Sequence, residues 1–200
     1  MDFQVLPINV DYAGALANLA KRLFLEAYGL DVKSLPASAE EYLNSEFSID
    51  AQTKELSDTR MFTYMAFEKR GGGDTATTTP IAYCQLRDHK HEHNDVIDDP
   101  DAIELKRLYV DQHYHGFGVG KRLILQSVAK AKELDKKTIW LAVWDNNANA
   151  IGFYERQGFR KVGKRQLKMG EHTVINYIMI KHIANIIPSS NSDSALHCKL

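Results

Sequence analysis

The sequence is poor in cysteine and has no long apolar run. Its 200 residues include only two cysteines, Cys84 in an apolar, strand-like segment and Cys198 in a polar C-terminal stretch. We expect no disulfide between them, and this cysteine usage favours a reducing compartment such as the cytoplasm. No segment approaches the roughly 20 consecutive apolar residues of a membrane-spanning helix, so we expect no membrane partner.

The sequence also lacks a surplus of charge of either sign. It carries 25 lysines and arginines against 26 aspartates and glutamates, which gives a formal net charge of -1. Proteins that mainly bind nucleic acid usually show a clear basic surplus, so we expect no nucleic-acid partner. Residues 1–10 contain neither a basic segment nor a long apolar one, and we expect no secretory signal peptide.

Length and composition predict one globular domain. The hydrophobic fraction is 44% and the charged fraction 26%, both typical of globular proteins. We expect a single domain over residues 1–187, because 200 residues suffice for one sizeable core. Residues 188–200 are rich in serine and other polar residues, and we expect them to form a flexible tail.

Apolar periodicity predicts a mixed α/β (α+β) domain. Some segments place apolar residues at helical spacing, and others are short, strand-like apolar runs. The order strand–helix–strand at the centre of the chain requires a crossover, which joins parallel strands. The predicted helices cover 11–29, 118–131 and 146–157, with one or two shorter helices over 38–57. The predicted strands cover 61–67, 81–87, 102–110, 138–144 and two segments after Gly158.

A glycine-rich loop, HYHGFGVGKRL, precedes the crossover helix. It fails the dinucleotide-binding fingerprint G-x-G-x-x-G, because Lys121 stands where the third glycine is needed. It fails the nucleotide-binding loop G-x-x-x-x-G-K-[ST], because Arg122 follows Lys121. Its glycines at 116, 118 and 120 let the backbone approach a ligand closely, and the N–H groups of a helix N-terminus bind anions. Taken alone, the loop fits either a phosphate site or a glycine-rich turn with two solvated cations.

A second pattern follows the loop at a distance of about 30 residues. It reads N-x-x-A-x-x-F-Y-x-x-x-G-F. With the loop, whose family signature is Q/R-x-x-G-x-G/A, it resembles the GNAT superfamily of acyl-CoA N-acyltransferases. The one departure is His115 in place of glutamine or arginine. Residues 24–180, and ELKRLYV and IWLAVWDNNANAIGFYERQGF in particular, are also similar to the PaiA-type polyamine acetyltransferases. The second pattern is formed by Asn147, Ala150, Phe153, Tyr154, Gly158 and Phe159.

The resemblance implies a fold and a reaction. The GNAT fold has a mixed central sheet of about six or seven strands, with the fourth and fifth parallel, and flanking helices. The reaction is transfer of acetyl from acetyl-CoA to a primary amine by direct attack in a ternary complex. The implied acceptor is a polyamine or another small-molecule amine, and the protein is expected to be a monomer or homodimer. A protein or peptide amine, an amino-bearing toxin and a non-catalytic acyl-CoA-binding module are the alternatives.

The resemblance also implies which residues hold acetyl-CoA. The acyl group and pantetheine are expected to pair with the backbone at the end of one strand, and the pyrophosphate with backbone N–H groups of the loop. The His115 ring is expected to matter little. Asn147 has helix capping as an alternative role. The implied contacts come from Leu108, Tyr109, Val110, His115, Gly116, Phe117, Gly118, Val119, Gly120, Lys121, Asn147, Ala150 and Tyr154.

Two residues are candidates for proton transfer. Glu104 is the candidate base, because at pH 7.4 a free alkyl amine lies about 4 kcal/mol above its ammonium form. Strand alternation predicts that Glu104, Lys106, Leu108 and Val110 share one face of the sheet. The alternatives are that Glu104 pairs with Lys106 or is solvated at the start of its strand, and that Tyr109 or an ordered water acts as the base. The resemblance implies that Tyr154 protonates the leaving thiolate, with core packing as its alternative role.

Three further signals receive less weight. Residues 94–104 form an acidic stretch that could line a polycation site, although a solvated acidic loop is the simpler interpretation. The H-x-H-x-H pattern at residues 89–93 resembles a metal tract, but the proposed chemistry needs no metal and we predict none. The final tripeptide, Cys198-Lys199-Leu200, resembles the peroxisomal address Ser-Lys-Leu, so peroxisomal import is the alternative to a cytoplasmic location. The acidic residues concerned are Asp95, Asp98, Asp99, Asp101 and Glu104.

Overall fold

The computed structural model describes residues 1–29, 37–70, 77–89, 97, 99–169 and 172–183. Within them the chain forms seven strands and five helices, and none of these helices is long and apolar enough to cross a membrane. The strands are β1 (Phe3–Pro7), β2 (Met61–Arg70), β3 (Thr77–Arg87), β4 (Ala102–Val110), β5 (Thr138–Trp144), β6 (Arg160–Met169) and β7 (His172–His182). The helices are α1 (Ala13–Tyr28), α2 (Ala37–Glu46), α3 (Ile49–Ser57), α4 (Val119–Glu133) and α5 (Ala148–Arg156).

The strands form one mixed sheet in the order β1-β2-β3-β4-β5-β7-β6. Neighbouring strands are antiparallel except β4 and β5, which are parallel and joined through α4. The predicted mixed sheet with a parallel fourth and fifth strand is therefore confirmed. The short β1 at the sheet edge was not predicted from the sequence.

Helices cover the two faces of the sheet. The face that carries Cys84 and Ile139 is buried by α4 and α5, and we call it the α4 face. On the other face, called the α1 face, Met65 and Tyr83 pack against residues of α1 and α2. Trp140 of β5, whose two sequence neighbours point into the α4-face core, belongs to a smaller cluster on the α1 face.

The sequence of α1 determines where this helix ends. Its inward residues, such as Leu16 and Leu23, recur at helical spacing and are almost fully buried. Gly29 adopts the left-handed conformation with φ 62°, and its N–H donates back to the carbonyls of Leu25 and Glu26. This termination makes Tyr28 the last residue of α1 and places it beside the end of β5.

Candidate active site

The two parallel strands separate partway along their length. They pair at three positions, the last joining Glu104 to Trp140, although β4 continues to Val110 and β5 to Trp144. Among the described residues, 105–110 therefore have no strand partner on the β5 side. The backbone groups of an unpaired strand edge can pair with an extended ligand, as an added strand would. We call this opening the β4–β5 gap.

A β-bulge at Lys106 lies at the start of the gap. Gln85 of β3 pairs with Arg107, and Leu86 pairs with Leu105, so Lys106 is an extra residue in β4. Such a bulge bends its strand and increases the local twist. It therefore marks the point at which β4 turns away from β5.

The bulge overturns the prediction that Glu104 shares a face with Leu108 and Val110. Leu108 and Val110 pack against the core of the α4 face. Glu104 lies before the bulge and beside Trp140, on the α1 face. Alternation fails here because one extra residue shifts the two-residue period of the strand by one position.

The glycine loop presents backbone N–H groups at the start of α4. Gly116 and Gly118 have φ values of 82° and 84°, in the left-handed region that favours glycine. Gly118 caps α4 without any side-chain hydrogen bond, and the first helical bond runs from the Arg122 N–H to the Gly118 carbonyl at 3.0 Å. The N–H groups of residues 119–121 are thus without helical partners, which is the geometry that binds anions.

Gly120 also has a packing role. Its φ is not in the left-handed region, but a Cβ atom there would lie 3.1 Å from the Phe153 ring and 3.7 Å from Val110 Cγ2. The third glycine therefore allows α4 and α5 to pack closely, while its N–H stays without a helical partner.

The entrance to the loop is tied to α1. Arg22 contacts the Asp111 carboxylate at 2.6 Å, and the Gln112 N–H donates to the Glu26 carboxylate at 2.5 Å. Burial opposes ionisation of Asp111, but its contacts with Arg22 and His113 outweigh burial and lower the pKa of this carboxyl. These contacts fix the path of the chain between β4 and the glycine loop.

Two residues of the predicted cofactor set have protein partners. His115 Nε2 lies 2.9 Å from the Val110 carbonyl, to which it donates, so the ring supports the end of β4. Asn147 caps α5, because its Oδ1 accepts from the Ala150 N–H at 3.0 Å. Capping uses the side-chain oxygen only, so the Asn147 amide nitrogen is still available as a donor. The two roles considered for Asn147 are therefore compatible.

Tyr154 approaches the β4–β5 gap from the α4 face. Only 8% of the residue is exposed, and its ring packs edge-on against Phe153 and Phe159. Burial, with smaller effects of Cys84 and Tyr28, raises the pKa of its phenol well above 10, so the hydroxyl is protonated at neutral pH. Among the described residues no hydrogen bond to this hydroxyl is found. Tyr154 can therefore donate a proton to a group placed in the gap.

Glu104 has a histidine partner rather than the lysine partner that was considered. Its Oε2 lies 2.7 Å from His89 Nε2, and both side chains are about one-fifth exposed. The His89 ring also packs against Trp140, with 6.0 Å between ring centroids. Lys106 instead contacts Glu55 of α3. The carboxylate of Glu104 is thus held on the α1 face at the closed end of the gap.

Aromatic side chains line the gap on the α1 face. Tyr28 stacks on Trp144 with 5.6 Å between ring centroids, which connects the end of α1 to the end of β5. Burial raises the pKa of Tyr28, and its polar contact with Tyr109 offsets part of this rise. The sequence analysis missed Tyr28, because no local pattern links residues of α1 and β5.

Several sequence signals fall at or beyond the limits of the described residues. His91, His93, Asp95, Asp98 and the final tripeptide lie outside them. Asp101 forms an ion pair with Lys137, and Asp99 accepts from the Asp101 N–H at 2.9 Å. In the part of the chain that the structure describes, no group of three potential metal ligands is found.

The glycine loop, the open edge of β4 and the side chains of Tyr154 and Glu104 can each contribute to one reaction. The loop can bind an anion, and the open edge of β4 can hold an extended chain beside it. A protonated phenol reaches the gap from one face and a carboxylate from the other. Such a site is suited to a long anionic ligand whose reactive end lies between an acid and a base.

Comparisons with known proteins show the family whose sequence profile this chain matches and the fold that it shares. The sequence profile of the Acetyltransferase (GNAT) family matches residues 24–159. Over 163 residues the chain is 23% identical to an uncharacterized N-acetyltransferase of the pepI 3′ region in Lactobacillus delbrueckii subsp. lactis, covering 82% of this chain and 87% of that protein. It is 38% identical over 63 residues to the spermine/spermidine N(1)-acetyltransferase of Bacillus subtilis (strain 168), covering 31% of this chain and 41% of that relative. The crystal structure of the PaiA N-acetyltransferase from Thermoplasma acidophilum in complex with coenzyme A has a TM-score of 0.63, with 18% identity over 91% of this chain and 99% of that one.

Proposed function

The chain belongs to the Acetyltransferase (GNAT) family, and from this premise we propose that it transfers acetyl from acetyl-CoA to a primary amine of a small molecule. Dependence on acetyl-CoA follows from family membership. The observation that carries the proposal is the β4–β5 gap, which joins a loop of unpartnered N–H groups and has Tyr154 and Glu104 on its two faces.

We assign the cofactor contacts to the open edge of β4 and the start of α4. The backbone of Leu108, Tyr109 and Val110 holds the acyl-pantetheine arm by strand-like pairing. The Asn147 amide nitrogen and the α5 residues near Ala150 contact the arm from the β5 side of the gap. The backbone N–H groups of Gly116, Phe117, Gly118, Val119, Gly120 and Lys121 surround the pyrophosphate. The sequence prediction also included the His115 N–H, but this group donates to the Gln112 carbonyl at 3.1 Å.

Catalysis in this proposal rests on placement and two proton transfers. Holding the amine against the thioester makes the reaction effectively unimolecular. Glu104 accepts a proton from the ammonium group, directly or through water. The free amine then forms the new C–N bond and loses its second proton to water. The C–S bond breaks, and Tyr154 donates its proton to the departing thiolate. Both groups return to their starting states by exchange with solvent.

A polyamine is the first candidate for the acceptor, supported by the Bacillus subtilis relative that acts on spermine and spermidine. A monoamine with an aromatic or aliphatic body is the second candidate. It is favoured by the Tyr28–Trp144 stack, and by the contacts that already engage the nearby carboxylates of Glu104 and Glu55 with His89 and Lys106. The two candidates differ in what binds the end of the acceptor remote from the reacting amine. A polyamine needs acidic groups there, whereas a monoamine needs an apolar or aromatic surface.

A panel of amines distinguishes these acceptors. Spermidine, a phenylalkylamine and a short peptide are incubated with acetyl-CoA and the full chain, and release of free thiol is followed. We expect turnover of a small-molecule amine with kcat/KM at least tenfold above that of the peptide. Preferred use of the peptide would contradict the proposal. Binding of CoA without turnover of any amine would identify a non-catalytic acyl-CoA-binding module.

Gly118→Ala is expected to weaken CoA binding about tenfold, because a left-handed alanine is strained by roughly 1–2 kcal/mol and the loop must relax. Titration calorimetry with CoA measures the change. Gly14→Ala is the matched control, since Gly14 lies in α1 with no atom within 4 Å of an added Cβ and no left-handed φ. Equal affinity of the two variants would exclude the loop from the CoA site.

Three further predictions concern the whole protein. We propose that residues 1–187 form a single domain with a polar tail at 188–200, and that the protein is a monomer or homodimer.

A cytoplasmic location, or peroxisomal import through the last three residues, is also proposed. Fluorescent fusions with and without Leu200 distinguish the two locations.

A further inference from the structure

A cluster of charged side chains connects α2 and α3 to the bulge of β4. Glu55 of α3 contacts Lys106 at 2.5 Å and Arg107 at 2.6 Å. Arg107 also donates to the Glu46 carboxylate at 2.6 Å and to the Gln85 side-chain oxygen at 2.7 Å. We call Glu55, Lys106, Arg107, Glu46 and Gln85 the bulge clamp.

The clamp holds the two residues at which the strand changes register. Lys106 is the extra residue of the bulge, and Arg107 is the next residue, where pairing with Gln85 begins. The carboxylate of Glu55 contacts the side chains of both Lys106 and Arg107. Among the described contacts, Glu55 is what connects these two cations to α3.

The charged side chains of the clamp pair with one another, so the clamp is not a ligand-binding site. The Arg107 side chain is only 7% exposed and is shared between two carboxylates, and its guanidinium lies 5.1 Å from the centre of the Phe47 ring. Burial opposes ionisation of Glu55, but Arg107 and Lys106 outweigh burial and lower the pKa of the Glu55 carboxyl. Glu55 is therefore ionised at neutral pH and bound to cations on its own chain.

The clamp lies next to the open edge of β4 and can therefore affect substrate binding. The bulge begins two residues after Glu104, the last β4 residue that pairs with β5. The backbone beyond it is the open edge to which we assign the acyl-pantetheine arm. We propose that Glu55 is a positioning residue, which sets the geometry of this edge, and through it the affinity for acetyl-CoA, without touching either substrate. This inference rests on the proposed function of the gap.

Glu55→Gln tests the inference, with calorimetric titration of acetyl-CoA and steady-state kinetics as readouts. We expect the dissociation constant and KM for acetyl-CoA to rise about tenfold, in proportion to the loss of hydrogen bonds to charged groups. We expect the KM for the amine to stay within about twofold, because the acceptor is held elsewhere. A general loss of structure would instead lower the melting temperature and affect both substrates equally.

Two further variants make the result decisive. Lys106→Met releases the bulge side chain but leaves Glu55 with Arg107, so it avoids a buried unpaired charge and serves if Glu55→Gln does not fold. It is expected to weaken acetyl-CoA binding about threefold. Glu133→Gln, which breaks an exposed pair with Lys130 at the end of α4, is the control and should bind acetyl-CoA as the wild type does.

The outcomes separate this inference from the proposed function. If the wild type does not bind acetyl-CoA, the proposed function fails and the inference fails with it. If the wild type binds it and the Glu55→Gln and Lys106→Met proteins bind it equally well, the inference alone is overturned. A rise in the amine KM without a change in acetyl-CoA affinity also overturns it.

Discussion

Replacing Tyr154 by phenylalanine is expected to lower kcat about 100-fold, within the range for loss of a general acid. Only the hydroxyl is removed, and burial keeps the pKa of this phenol above the usual tyrosine value, so the wild-type group is protonated throughout the assay range. The variant must expel the thiolate without a proton donor. Because the wild-type phenol stays protonated throughout that range, the defect should be nearly independent of pH.

The fold of the Tyr154→Phe protein should be intact. No hydrogen bond to the Tyr154 hydroxyl is found among the described residues, so its loss leaves no partner there unsatisfied. Tyr83→Phe is the matched control, because the Tyr83 hydroxyl is buried without a partner among the described residues and faces the core under α1. Equal kcat values for Tyr154→Phe and wild type at every pH would remove Tyr154 from the proton transfer.

The crossover, the glycine loop and the helix that follows could be predicted because their signals are local. Gly29 ends α1 and Gly118 begins α4 through backbone conformations that single residues determine. The apolar run of β5 predicts a buried strand without reference to its neighbours. These elements were sufficient to predict the parallel pair and the loop that follows its first strand.

The side-chain arrangement of β4 could not be predicted in the same way. The bulge at Lys106 depends on how β3 and β4 pair, and no pattern within the nine residues of β4 reveals it. The partners His89 and Glu55 lie 15 and 51 residues from the side chains they contact, which are those of Glu104 and Lys106. Strand alternation therefore placed Glu104 on the wrong face.

The proposed base and the proposed acid lie on opposite faces of the sheet. Glu104 is on the α1 face, beside Trp140, and Tyr154 belongs to the core of the α4 face. In the proposed reaction the amine adds to the thioester carbonyl, and the thiolate leaves from the resulting tetrahedral carbon. The proposed base and the proposed acid then act on different substituents of the same carbon atom.

Replacing Glu104 by glutamine is expected to lower kcat/KM for the amine about 100-fold near neutral pH. A protonated alkyl amine has a pKa of about 10.4, so without a base the variant must use the small fraction of free amine in solution. The rate of the variant should rise about tenfold for each pH unit until the amine itself loses its proton, since each unit multiplies the free amine by ten. The defect should therefore shrink steadily between pH 7 and pH 10, which a pH profile of kcat/KM measures.

Glu155→Gln provides the comparison, because Glu155 is a half-exposed carboxylate on α5 that pairs with Lys161 at 3.2 Å. It should follow the wild-type pH profile. A Glu104→Gln defect that is constant from pH 7 to pH 10 would show that the side chain supports structure or amine binding rather than deprotonation. A purely structural role of Glu104, such as holding the contact with His89, would give such a constant defect. The slope of the profile, rather than the size of the loss, therefore decides whether Glu104 is the base.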